Sequence, residues 1–150
     1  MASFTPGGGV TQPFGRNEFL RSTNPKPQTE SYTLAAASVP AETIDGHVQK
    51  IVQPGTVMAK ITSGTDIGKV GPFQAGVTDG RQLVANIVGL DWTFLPYQTL
   101  DRDVEIGVVT NCTAVQAWCF ELDAAGLRIP LSNTTADAMR GTKRLDVNFA

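Results

Sequence analysis

The chain has 150 residues, with 12 Lys and Arg against 14 Asp and Glu, one His, two Cys and a formal net charge of −2. That length suits a single domain, which buries roughly 68–70% of the surface its unfolded chain exposes, and the charge balance gives no long-range pull on nucleic acid. No stretch reaches the ~18 consecutive apolar residues of a membrane helix, MASFTPGGGV lacks the basic and apolar regions of an export signal, and the Gly and Pro follow no period; the expectation is a chain made in a cytoplasm that engages neither membrane nor nucleic acid.

Residues 1–40 read as an extended arm. Phe4, Phe14, Phe19 and Leu20 lie too far apart for one core face, and Asn24-Pro25-Lys26-Pro27 favours polyproline-like backbone. A tail without a role is the plain alternative, but such tails are poor in aromatics, and the rings suit anchors on a partner, with Arg16 and Arg21 beside them.

Residues 41–150 read as one β-rich domain of short apolar runs punctuated by turn residues. Tyr32–Leu34 suits a first edge strand and Val48–Val52 a second, ahead of the turn at Pro54 and Gly55. Thr56–Thr62 alternates cleanly, with Val57, Ala59 and Ile61 on one face and Met58, Lys60 and Thr62 on the other. Asp79-Gly80 makes a turn, since both residues tolerate positive φ. Leu83–Leu90 is nearly all apolar, as a central strand covered on both faces would be, and Gly89 marks a bulge or close backbone approach. Val104–Thr110 and Val115–Glu121 read as antiparallel strands joined by a turn at Asn111-Cys112-Thr113. Thr134–Arg140 fits a short helix capped by Thr and stopped by Gly141, followed by a last strand at Leu145–Phe149.

Catalytic and metal-binding groups are sparse. Hydrolytic chemistry commonly sets a histidine base beside a nucleophile, and the lone His47 follows a turn-forming Asp45-Gly46. One His and two separated Cys cannot close a zinc site, and Asp101, Asp103 and Glu105 supply too few oxygens for a hard cation. Gly7-Gly8-Gly9 has neither the preceding strand nor the following Lys-Ser/Thr of a phosphate loop. Lys60 lies within an alternating strand, not at the hairpin tip that biotin or lipoate carriers use. Cys112 and Cys119, on one straight strand, would stand roughly 23 Å apart at about 3.3 Å per residue, so buried reduced thiols are expected. The reading is therefore a non-enzyme without catalytic residues, metal or cofactor.

Taken in order, Pro54-Gly55-Thr56-Val57-Met58-Ala59-Lys60-Ile61-Thr62, Gly68-Lys69-Val70-Gly71-Pro72-Phe73, Thr78-Asp79-Gly80 and the apolar run to Leu90 resemble the head-decoration proteins of tailed bacteriophages, the phage lambda decoration-protein group. The likeness covers about residues 48–120 and extends loosely to Asp137–Phe149. It implies a small compact β-barrel or sandwich-like body of β-tulip type with one short C-terminal helix. It also implies a homotrimer on the outer surface of the expanded capsid, bound at local three-fold positions to the major capsid protein. Residues 1–40 would then be the capsid-binding arm, carrying Phe4, Phe14, Arg16, Phe19, Leu20 and Arg21. A different class of function is a tail- or fibre-associated adhesin, with Trp92, Phe94 and Tyr97 lining a ligand site unless they pack in the core.

Overall fold

A computed structural model describes residues 19–22, 27–141 and 145–149; Phe4, Phe14 and Arg16 lie outside them. The fold is mostly β. In chain order its strands are β1 (Leu20–Ser22), β2 (Gln28–Leu34), β3 (Glu42–Ile44), β4 (His47–Gln49), β5 (Val57–Lys60), β6 (Val70–Pro72), β7 (Ile87–Asp91), β8 (Val104–Ala114), β9 (Phe120–Leu122), β10 (Arg128–Pro130) and β11 (Asp146–Phe149), with one helix, α1 (Asn133–Arg140), before the last.

The long strand β8 is the spine. Its first part pairs antiparallel with β2 on one edge and with β7 on the other. β7 pairs with β5, β5 with β6, and β6 returns to β2 at Leu34 opposite Val70, so five strands close a ring. The C-terminal part of β8 carries β1 on one edge and β11, in parallel, on the other. Two hairpin-like pairs, β3–β4 and β9–β10, stand apart from this sheet.

Closing the ring gives each central strand two buried faces. Leu34, Met58, Val70, Val88, Ile106 and Val108, one or two from each barrel strand, form the interior cluster. The outer face of β5, β7 and β8 packs Val57, Ala59, Ile87, Leu90 and Val109 against Ala136 and Met139 of α1 and Val147 of β11. The alternation read in β5 thus separates two cores: Val57 and Ala59 face the outer one and Met58 the barrel interior.

Several expected elements fall elsewhere. Residues 28–39, expected in the arm, belong to the body: β2 makes a seven-residue ladder with β8, and Leu34, Ala35, Ala36 and Val39 are buried. β2 is therefore longer than the expected Tyr32–Leu34 and is an inner strand where it meets β6. The turn expected at Asn111-Cys112-Thr113 does not form, because β1 and β11 occupy both edges of β8 there and hold it extended. The chain turns later, in a 3-10 turn at Gln116–Trp118, where a strand was expected. Val48–Val52 is replaced by β4 at His47–Gln49 and an isolated bridge from Val52 to Leu95. β7 begins only at Ile87, after a 3-10 turn at Val84–Asn86. The helix cap is Ser132, whose side chain accepts from the Thr135 amide, and Gly141 ends the helix.

Gly89 is required. Its φ is +146°, and an added Cβ would collide with the Val109 carbonyl oxygen and crowd the Val108 side chain. The register between β5 and β7 slips by one residue beside it, so the glycine accompanies a bulge.

Candidate functional site

The arm residues that are described lie in the body. Phe19 is 1% exposed in the outer core, and its Cβ would stand 2.9 Å from a Cβ built on Gly55. Its carbonyl accepts from the Val115 amide at 2.6 Å. Leu20 lies in β1 opposite Ala114 and packs partly buried against the same cluster. Arg21 is a β1 residue. Phe19 and Leu20 are therefore corrected from partner anchors to anchors of the chain's own fold: an isolated aromatic in a Pro- and Gly-rich stretch finds its partners far away in sequence.

The structural turns sit at junctions. Pro54-Gly55 leads into β5, with the Gly55 amide donating to the Asp91 carbonyl at 2.9 Å and its carbonyl accepting from Phe120 at 3.0 Å. Asp79 accepts at its carbonyl from the amides of Thr62 and Ser63. Its carboxylate binds Arg81, whose Nη1 also donates to the carbonyls of Ser38 and Pro72 at 3.0 and 3.3 Å. Arg81 is buried by this clamp, which ties three segments together; nothing in the local sequence marked it as more than a surface charge.

The acidic trio divides among separate partners. Asp101 pairs with Arg102 in solvent; Asp103 binds Lys69 and the Ala36 amide, and Glu105 accepts from Thr33. Hydrogen bonding to Lys69 holds the Asp103 carboxyl below the usual range, and the same bond raises Lys69. Among the described residues, no three His, Cys, Asp or Glu side chains gather where they could hold a metal ion. His47 is exposed in β4, and Lys60 is exposed at the end of β5.

Cys112 and Cys119 are both buried thiols outside any disulfide. Burial, with Cys112 close by, pushes the Cys119 thiol up to about 12. Because the thiolate is the reactive species, both thiols should resist iodoacetamide in the folded protein at pH 8, reacting at least about tenfold faster once denaturant exposes them. Rapid labelling of the native chain, read by mass spectrometry, would contradict their placement.

One feature is open to another molecule. It is a groove of about 240 Å³ between the β3–β4 hairpin and the loop after β7, lined by Ile44, Ile51, Phe94, Pro96 and Tyr97 with Asp45, Gln49 and Gln98. Tyr97 is 54% exposed. Of the three aromatics expected together, Phe94 and Tyr97 meet here, whereas Trp92 packs against the outer core. Beside the root of this groove's loop lies Asp91, a fully buried carboxyl out of reach of any ligand in this state.

Comparison with known proteins returned no matching family model, no matching curated protein and no matching solved structure.

Proposed function

We propose that this chain is a structural virion protein rather than an enzyme, a head-decoration protein that attaches to the outer surface of an expanded tailed-phage capsid. In this reading it binds the major capsid protein as a homotrimer at local three-fold positions, is made in the host cytoplasm, and engages neither nucleic acid nor membrane.

The observation that carries the reading is the ordered set of segments from Pro54 to Leu90 that resembles the decoration proteins. Those segments are neighbours in space. Pro54-Gly55 enters β5, β6 and β7 flank β5, and Asp79 bonds to Thr62 just beyond it. The mostly β body with one short helix before its last strand also suits that family.

Attachment then falls to Phe4, Phe14 and Arg16, with Phe19 as the point where the arm joins the body. An extended peptide can add to a sheet edge through main-chain hydrogen bonds, its side chains setting register, and many weak copies on a repeating lattice bind together more firmly than one alone. The test is co-sedimentation with expanded, emptied shells of the phage that encodes the chain. The full chain is expected to pellet with shells and not with naked DNA. A chain lacking residues 1–16, which spares β1 and β2, should lose most of this binding. No pelleting of the full chain would overturn the attachment reading; undiminished binding of the shortened chain would overturn the arm's role.

The groove beside Phe94, Pro96 and Tyr97 favours one second reading, an adhesin that binds a host surface ligand. Binding to host cells by the shortened chain, abolished by Tyr97→Ala, would favour it over capsid attachment.

A further inference from the structure

Asp91 ends β7 with its backbone fixed on both sides: its amide donates to Thr56 at 2.8 Å and its carbonyl accepts from Gly55 at 2.9 Å. It stands directly opposite Val108, a barrel-interior residue, so its side chain shares that interior face. It is 0% exposed, and among the described residues neither carboxyl oxygen has a donor in hydrogen-bond geometry. The nearby amides of Thr93 and Trp92 only partly oppose the effect of burial. The Trp92 amide is already donated to Gly107 at 2.9 Å.

Among the described residues, no hydrogen bond joins a cation to the Asp91 carboxyl. On β8 the residues sharing this face are Ile106, Val108 and Thr110, and on β6 it is Val70. β2 presents Glu30 and Tyr32, whose hydroxyl donates to Glu30 at 2.9 Å. β5 presents Met58 and, four residues from the level of Asp91, the exposed Lys60. Val39, Val52, Leu95 and Leu100 belong to the same interior cluster as Val108, the residue opposite Asp91.

Asp91 is also the root of the loop that forms one wall of the groove. That loop is held by paired hydrogen bonds between Val52 and Leu95, at 2.9 and 3.1 Å, and by the Trp92–Gly107 bond. We propose that Asp91 is a pH-sensitive latch: neutral, it keeps the loop of residues 92–100 seated on the barrel; ionised, it favours a locally opened state that frees the groove's Phe94–Tyr97 wall.

The direction follows from linkage. Burial raises the Asp91 carboxyl well above its ordinary value of 3.8, so the closed state holds the proton more tightly than the opened one. The stabilisation of the closed state is therefore complete below the opened-state value and declines as pH rises toward the closed-state value. Across that window the opening constant rises by up to about tenfold per pH unit.

The experiment is amide hydrogen exchange on the full chain from pH 4 to 8, corrected for intrinsic chemical exchange, with Asp91→Asn and Asp91→Leu as pH-insensitive replacements. In the unaltered chain, protection at Trp92 and Leu95 should fall by up to about tenfold per pH unit while the β2–β8 ladder keeps its protection. In either variant that pH dependence should vanish. The proposal is overturned if a variant retains the dependence, or if the unaltered chain loses protection equally across the barrel or not at all. It is also overturned if neither variant folds, since a latch closed in its neutral form must accept a neutral side chain.

Discussion

Phe19→Ala is expected to lower the unfolding free energy by about 3–5 kcal/mol, the usual range for emptying an aromatic site in a core. The ring is buried among the outer-face residues of β5, β7 and β8, and its backbone carbonyl holds Val115 just past the end of β8. Emptying the site leaves a cavity at the seam where β1 joins the sheet, and a two-rung ladder at Leu20 and Ser22 cannot hold that seam alone. Urea unfolding followed by circular dichroism measures the loss. A change below about 1 kcal/mol, accompanied by lost shell binding, would return Phe19 to the role of a partner anchor.

Gly89→Ala should lower stability by about 3–4 kcal/mol: a non-glycine residue held in sparsely populated backbone costs about 1–3 kcal/mol, and overlap with β8 adds to that. The added methyl meets the Val109 carbonyl, which belongs to the neighbouring strand and cannot turn aside as a flexible side chain can. Relief requires β7 to part from β8, and Leu90–Val109 and Asp91–Val108 are the pairings that close the barrel on that side. The same urea titration decides; a loss under about 1 kcal/mol would mean the bulge relaxes without disturbing the ring.

How much of this was legible depended on how far away each residue's partners lie. The alternation of Val57, Met58 and Ala59 was readable because β-branched and apolar residues declare a strand locally, and Gly89 was readable because only a special backbone needs glycine inside an apolar run. The helix before Gly141 declared itself through its stop, though the cap proved to be Ser132, one residue before the helix and two before the expected Thr. β2 was largely hidden, since Gln28 to Ser31 are exposed and polar and extended only by their ladder with β8. Asn111-Cys112-Thr113 misled for a related reason: turn-forming residues stay in a strand when distant segments occupy both edges. In the candidate site, Phe94 and Tyr97 were found by their aromatic character. Trp92, only two residues before Phe94, packs against the outer core instead, and Asp91 gave no signal because a carboxyl's burial is decided by the five strands around it.

The placement of β1 and β11 gives the molecule two poles. Leu20 and Phe149 both stand beside Ala114, on opposite edges of β8, so the chain entering β1 and the chain leaving β11 pass one spot. They are separated there by about two strand spacings, roughly 9.5 Å. The groove loop precedes Val104, at the other end of an eleven-residue strand, roughly 34 Å away along its axis. A peptide or fluorophore attached at the end of β11 would crowd the pole where β1 begins. A label at Asp45-Gly46, the tip of the β3–β4 hairpin beside the groove, would leave that pole clear and ride on the opposite one.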